Sequence, residues 1–308
     1  MLESGTPEKE PNGDFRCGYV ALVGRPNVGK STIMNRMIGQ KISITSRKPQ
    51  TTRHQILGVK TSSTSQVIYV DTPGIHNRRS TAINRYMNRA ANSVLNDVDL
   101  VLFVVQALQW TEEDEVVLNR LQEITAPVLL VVNKIDKVGD KNELLPYIEK
   151  LTAMRSFDAV IPVSALHAEN IAQLEADVYE RLPENEAFFP GDQITDRNVR
   201  FLSAEIIREK LIRELGQELP YTSTVEIDRF EEGESISRIF ATIYVETRGQ
   251  KAIIIGRKGA RLKSIGTKAR VDIEKMLDGK VYLELWVKVR EGWSNDERAL
   301  ASLGYTNE

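Results

Sequence analysis

Lys30 and Ser31 close the octapeptide Gly24-Arg25-Pro26-Asn27-Val28-Gly29-Lys30-Ser31, which follows the apolar run Tyr19 to Val23 and precedes a helical pattern beginning with Thr32. In a strand-loop-helix setting, a glycine-rich turn of this spacing aims successive backbone N–H groups inward at a helix start. The result is a nest for phosphate oxygens, aided by the helix dipole. Lys30 is placed to reach β- and γ-phosphates as a point charge, and the Ser31 hydroxyl is a hard oxygen ligand suited to Mg2+. Alone, the octapeptide specifies a nucleoside triphosphate and no particular base.

Three further peptides complete the ligand. Val67 to Val70 reads as a buried strand that ends in Asp71-Thr72-Pro73-Gly74, so the Asp71 carboxylate emerges at a strand's carboxyl end, where open α/β sheets bind ligands. Asp71 is expected to hold Mg2+ through water, and the Gly74 N–H to meet a γ-phosphate and let go when that phosphate leaves. Val128 to Val132 delivers Asn133-Lys134-Ile135-Asp136 to the same edge. A carboxylate accepting two hydrogen bonds suits the N1–H and N2–H2 donors of guanine and repels the N1 acceptor of adenine, while an Asn amide can address the other edge of the base. The Lys134 stem can lie over the ring. Val160 to Val163 followed by Ser164-Ala165-Leu166 adds a loop whose Ala165 N–H can donate to guanine O6. The four peptides together describe GTP.

A metal shell around Ser31 and Asp71 needs another oxygen, and Thr51 and Thr52 offer one. They lie between Ile44 and Ile56 in a polar, positively charged stretch expected to be a mobile loop.

Elements that alternate as βα units must position these residues, which implies a mostly parallel sheet with helices on both faces. The 308 residues suffice for two domains, each with its own core. Residues 16–183 form the first. A turn-rich connection over 184–196, preceded by Pro183 and holding Pro190 and Gly191, is too interrupted for a helix or strand. Residues 197–295 follow as a second domain and 296–308 as a tail. The net charge of −2 gives no bulk drive toward nucleic acid, and the lone Cys17 rules out an intramolecular disulfide and suits a reducing cytosol. No secretory leader is expected at Met1 to Glu10, the first dozen residues are expected to be disordered, and the most apolar run, Leu100 to Leu108, is far shorter than the roughly 20 residues of a membrane span.

In the second domain the expected order is helix, strand, strand, helix, helix, strand. Phe201, Ala204, Ile207, Leu211 and Leu215 keep helical spacing, and Val281, Leu283, Leu285, Val287 and Val289 alternate with Tyr282, Glu284, Trp286, Lys288 and Arg290 as in a half-buried strand. Between the central helices lies Gly256-Arg257-Lys258-Gly259. A GXXG loop there lets a sugar-phosphate backbone approach closely while about four unpaired bases lie in an apolar groove. Residues 248–270 hold eight basic side chains and no acidic one, so overall neutrality hides a basic patch. Lys251, Gly256, Arg257, Lys258, Gly259, Arg261 and Lys263 are the candidate RNA contacts. Trp286 and Trp293 are assigned to core or domain packing in preference to base stacking.

The phosphate octapeptide extended by Thr32, the peptide Gln50-Thr51-Thr52-Arg53-His54, the Asp-Thr-Pro-Gly form and the stretch Lys41 to Arg53 resemble the translation-factor-related GTPases of the TrmE-Era branch, and within it the Era family. With the GXXG domain the resemblance runs from about residue 16 to 305. It implies a P-loop GTPase domain followed by an α+β type II KH domain, and it selects Thr52 as the Mg2+ ligand beside Ser31 and Asp71. It also implies that the partners are GTP or GDP and the 3′ end of 16S rRNA, in maturation of the small ribosomal subunit. Ile75 stands where Ras-like proteins place a water-orienting Gln, so hydrolysis is expected to be slow. Lys30, Thr52, Gly74 and Asn27 remain as the hydrolytic set. Some members of the branch hold K+ through the Asn27 equivalent; the alternative is that Asn27 only shapes the turn. A rival reading is a signalling switch peripheral to the inner face of the cell membrane, its second domain touching protein or lipid. A P-loop kinase is disfavoured by Asn133 to Asp136.

Overall fold

The fold is taken from a computed structural model, which describes residues 15–46, 48–74, 81–215 and 222–305. Expectations placed on residues 1–14, and on Ile75, lie outside those residues.

A six-stranded sheet in the order β2-β3-β1-β4-β5-β6 is built from β1 (Arg16–Val23), β2 (Ile56–Thr61), β3 (Ser65–Asp71), β4 (Leu100–Gln106), β5 (Val128–Asn133) and β6 (Ala159–Val163). All neighbours run parallel except β2, which pairs antiparallel with β3. The central strands β1, β4 and β5 are apolar through their middles, with polar residues at their ends such as Arg16, Gln106 and Asn133, because both faces are covered. On one face Val20, Leu22, Leu102, Val104, Leu129 and Val131 pack with α1 (Lys30–Ile38) and α5 (Ile171–Glu180). The alternate residues Ala21, Val23, Val101, Phe103, Leu130 and Val132 pack on the other with α3 (Glu112–Leu121) and α4 (Leu144–Thr152). Because β3, β1, β4 and β5 run parallel, their carboxyl ends share one edge, and Asp71 and Asn133 are the last residues of β3 and β5 there.

The turn-rich connection is pinned to the first sheet. Gln66 donates from Nε2 to the Phe189 carbonyl and accepts at Oε1 from the N–H groups of Phe188 and Phe189, and Val59 N–H donates to the Ile194 carbonyl at 2.9 Å.

Beyond it come α6 (Val199–Glu214), β7 (Ser223–Glu231), β8 (Ser237–Val245), α7 (Arg248–Ile255), α8 (Ala260–Leu277) and β9 (Val281–Val289), the order anticipated from periodicity. The sheet order is β7-β8-β9, with β7 and β8 antiparallel and β8 and β9 parallel. Ile239, Ala241, Ile243, Val281 and Val287 bury against Ile207 and Leu211 of α6 and Ile265, Ala269 and Ile273 of α8. The end of the chain returns to the first unit. Trp293, Leu300 of α9 (Glu297–Ser302) and Tyr305 pack on Ala82, Ile83, Tyr86 and Met87 of α2 (Ala82–Ser93).

Candidate functional site: a phosphate cleft and a GXXG groove

The turn between β1 and α1 needs its glycines. Gly24 has φ +151°, and a Cβ there would stand 2.3 Å from the Val104 carbonyl oxygen; Gly29 has φ +108°, and a Cβ would stand 2.2 Å from Asn133 Nδ2. Side chains are strained or excluded at both. α1 starts directly after Gly29 with no acidic residue in its first turn, which leaves its N–H groups favourable to an anion. Lys30 is buried, and its ammonium donates to the Gly24 and Arg25 carbonyls at 3.0 and 3.1 Å. Burial pulls its pKa down to about 8, against the pull of Asp71.

Beside it the oxygens converge. Ser31 Oγ lies 2.6 Å from Asp71 Oδ2 and 2.8 Å from Thr52 Oγ1, Thr52 Oγ1 lies 3.3 Å from the same carboxylate oxygen, and Ser43 Oγ donates to it at 2.7 Å. Asp71 Oδ1 is buried with no hydrogen-bond partner among the described residues. Burial pushes the Asp71 carboxyl above its ordinary range, while the three hydroxyls and Lys30 pull it back. A buried carboxylate with one oxygen unused, next to two hydroxyls, is a hard-oxygen set that fits Mg2+.

The loops expected to read the base form by mutual bonding. Asn133 Nδ2 donates to the Val28 carbonyl at 2.8 Å, and its Oδ1 accepts from the N–H groups of Lys134 at 2.7 Å and Ala165 at 3.1 Å. The amide expected at an edge of the base is thus spent in this structure on holding three loops together, and the Ala165 N–H faces Asn133. Lys134 donates to the Asn27 carbonyl at 2.5 Å and to Gln106 Oε1 at 2.7 Å; burial lowers its pKa to about 8. Asp136 Oδ1 accepts from Ser164 Oγ at 2.6 Å.

A cleft of about 730 Å3 joins these groups; Pro26, Asn27, Gly29, Lys30, Ser31, Thr32, Thr52, Gly74, Asn133, Lys134, Asp136 and Ala165 all line it. Other motif residues serve the walls. Val28 and Ile135 are core, Thr72 Oγ1 donates to the Leu22 carbonyl at 2.8 Å, and Arg25 is fixed by the buried Asp114 at 2.9 Å.

The loop expected to be mobile is not solvated. Thr51, Thr52, Arg53 and His54 are 8, 8, 1 and 8 % exposed, because α6, β7 and the chain end cover them. The Lys48 ammonium donates to the Ile212 and Leu215 carbonyls, Thr45 N–H to Glu209 Oε1, Arg208 to the Thr51 carbonyl, and Arg53 to the Ser223 carbonyl. Ile212 and Arg213 of α6 themselves line the cleft. Nothing in local sequence marks these α6 residues, or Ser43, as part of the site.

In the second unit Gly256 has φ +71° and Gly259 φ +78°, and a Cβ on Gly256 would stand 2.8 Å from Arg261 Cβ. Lys258 is itself left-handed at φ 51°, so the loop turns sharply and presents Arg257 and Lys258 to solvent. Adjacent lies a groove of about 380 Å3 between α8 and β9, lined by Gly259, Leu262, Lys263, Gly266, Thr267, Arg270, Leu283, Glu284 and Leu285. Gly266 keeps it open: a Cβ there would approach Leu285 Cδ1 to 3.3 Å. Lys251 is half-buried and Lys263 exposed, while Arg261 donates to the Ile253 carbonyl at 2.5 Å, Lys268 pairs with Glu214 and Arg270 pairs with Glu274 at 3.4 Å. The basic patch is thus partly neutralised away from the loop. Trp293 is fully buried as expected, but Trp286 is 58 % exposed, because β9 turns it to the face away from the helices.

Comparison with known proteins covers both sites. Residues 19–134 match the family model "50S ribosome-binding GTPase", and residues 218–294 match the "KH domain" model. The chain is 59 % identical over 290 residues to "GTPase Era" of Pseudomonas aeruginosa, spanning 94 % of this chain and 95 % of the relative. It is 58 % identical over 291 residues to "GTPase Era" of Azotobacter vinelandii, spanning 94 % and 97 %. Among solved structures it resembles Era in complex with MgGDPNP and nucleotides 1506–1542 of 16S ribosomal RNA, with TM-score 0.92 and 39 % identity over 95 % of this chain and 100 % of that one. It also resembles a point variant of Aquifex aeolicus Era bound to GDP·AlF4−, with TM-score 0.91 and 38 % identity over the same shares.

Proposed function

The chain belongs to the Era family of GTPases, and from that premise we propose that it is a GTP-hydrolysing switch whose KH unit binds the 3′ end of 16S rRNA during assembly of the small ribosomal subunit. The observation that carries this reading is the cleft itself. It collects a phosphate nest, three hard oxygens and a guanine-selecting carboxylate, and it is closed on one side by α6 of the RNA-binding unit. RNA enters the groove between α8 and β9, its backbone against Gly256 to Gly259 and its bases against Leu262, Leu283 and Leu285.

Ser31 and Thr52, with Asp71 through water, would hold Mg2+, and the ion would supply positive charge against the β- and γ-phosphates. Lys30 gives up its two carbonyl partners to phosphate oxygens. The Gly74 N–H fixes the γ-phosphate, and Asp136 selects guanine. Asn27 is assigned to a K+ ion, a role supported by its place on the cleft wall. Hydrolysis that runs equally fast in K+ and Na+ removes that assignment. The domains divide at residues 184–196, a segment that supplies no lining residue to the cleft or the groove.

Crosslinking the intact chain to cellular RNA with and without a non-hydrolysable GTP analogue tests the function. Enrichment of the 16S rRNA 3′ end that changes with the analogue is expected. Nucleotide-independent recovery of unrelated RNA contradicts it, as does preferential recovery on anionic vesicles.

A further inference from the structure

Thr52 is gripped on both flanks by groups that do not belong to the GTPase unit. On the amino-terminal side Arg208 of α6 donates from Nη2 to the Thr51 carbonyl. On the carboxyl-terminal side Arg53 donates from Nη1 to the Ser223 carbonyl at 2.9 Å and to Tyr305 Oη at 3.1 Å. Arg208 is not a passive neighbour. It is 1 % exposed, and it is held by a two-point fork on Glu205, Nε to Oε1 at 2.7 Å and Nη2 to Oε2 at 2.5 Å. A buried carboxylate that fixes a buried guanidinium orients the remaining N–H groups rigidly, which lysine cannot reproduce.

We propose that Arg208, oriented by Glu205, is a positioning residue for GTP hydrolysis: by fixing the Thr51–Thr52 peptide it sets the Thr52 hydroxyl beside Ser31 and Asp71. The proposal rests on the reading of Thr52 as a metal ligand. The geometry points to it because the threonine is a single peptide away from the Arg208 contact, and because Thr52 Oγ1 sits 2.8 Å from Ser31 Oγ and 3.3 Å from Asp71 Oδ2 only while that peptide stays where it is. A small displacement of a metal-facing oxygen is costly to rate, since the positioned geometry carries much of the catalysis in phosphoryl transfer. The KH unit thereby supplies part of the hydrolytic site's preorganisation.

A double-mutant cycle on the intact chain tests this. Arg208→Lys keeps the charge and loses the fork; Thr52→Ala removes the hydroxyl. Each is expected to lower kcat for GTP about tenfold or more, the scale of one charge-assisted hydrogen bond, with affinity for GDP retained. The double variant is expected to hydrolyse GTP no more slowly than Thr52→Ala alone, since Arg208 acts through that hydroxyl. A purely structural role would make the two losses multiply. If Arg208→Lys also loses GDP binding, Glu205→Gln replaces it in the same cycle, and the same non-additivity is expected. Multiplying losses, or an Arg208→Lys rate equal to the parent's, overturn the positioning role while leaving Thr52 in place. A Thr52→Ala chain that hydrolyses GTP at the parent rate overturns the metal-ligand reading, and the positioning role falls with it.

Discussion

Tyr305 stacks on His54, with ring centroids 4.5 Å apart and planes at 22°. Its hydroxyl accepts from Arg53 and lies 3.0 Å from Thr224 Oγ1, and its ring edge meets Tyr86 of α2. One side chain near the end of the sequence therefore touches the segment that closes the nucleotide cleft, the helix after Gly74 and the first strand of the KH sheet. The packing leaves His54 buried and neutral.

His54 should make the fold acid-sensitive above the carboxylate range. Burial lowers its pKa from 6.5 to about 3. Below pH 6.5 the unfolded chain binds a proton that the folded chain refuses, so stability present above that pH is lost as pH falls toward 3. From pH 6.5 to about 5, before carboxylates contribute, the slope should approach roughly 1.4 kcal/mol per pH unit for this one group. Urea denaturation across that window measures it. His54→Gln should flatten the slope, and an unchanged slope would show that His54 is not buried neutral.

Asp136→Asn should exchange guanine preference for xanthine, because an amide donates to the 2-oxo group that a carboxylate repels. Competition among GTP, xanthosine triphosphate and ATP is the measurement. Retained GTP preference would place the base elsewhere.

Nucleotide binding should take up protons in mildly alkaline solution. Lys30 titrates at about 8 because burial disfavours its charge. A phosphate beside it favours the charged form, so its pKa rises on binding and GTP affinity falls as pH climbs past 8. Calorimetry at about pH 9 in buffers of different ionisation enthalpy reads the uptake directly. No uptake would mean that Lys30 does not meet the phosphates.

The parts of the site readable from sequence are those whose geometry is local. A glycine turn before a helix, and polar residues at or just past the ends of apolar strands, follow from a few adjacent residues, so Gly24 to Ser31, Asp71, Asn133 and Asp136 could be named as candidates from the sequence. The alternation along β9 put Trp286 at the outward positions of Tyr282 and Glu284, and the assignment of its large ring to packing went against that signal and was wrong. The cover over Thr51 to His54 was not readable. It depends on Arg208 and Tyr305, which reach Thr51 and Arg53 across 157 and 252 residues, and the polarity of the covered segment suggested solvent. A basic stretch reads as a loop in water until the carbonyls and carboxylates that receive its charges are known.

If a guanine-nucleotide switch is joined here to a single-strand RNA reader, the GXXG loop is where RNA binding must fail first. Arg257→Asp with Lys258→Asp places negative charge where the RNA backbone must approach Gly256 and Gly259. Binding of the intact chain to a 16S rRNA 3′-end oligonucleotide is followed at matched ionic strength with a GTP analogue present. The predicted result is collapse of RNA affinity with GTP hydrolysis retained, and a slope of log affinity against log salt that flattens by up to about 1.4, two contacts at roughly 0.7 each. Binding as tight as that of the parent would leave the loop a structural turn and favour a membrane-associated switch.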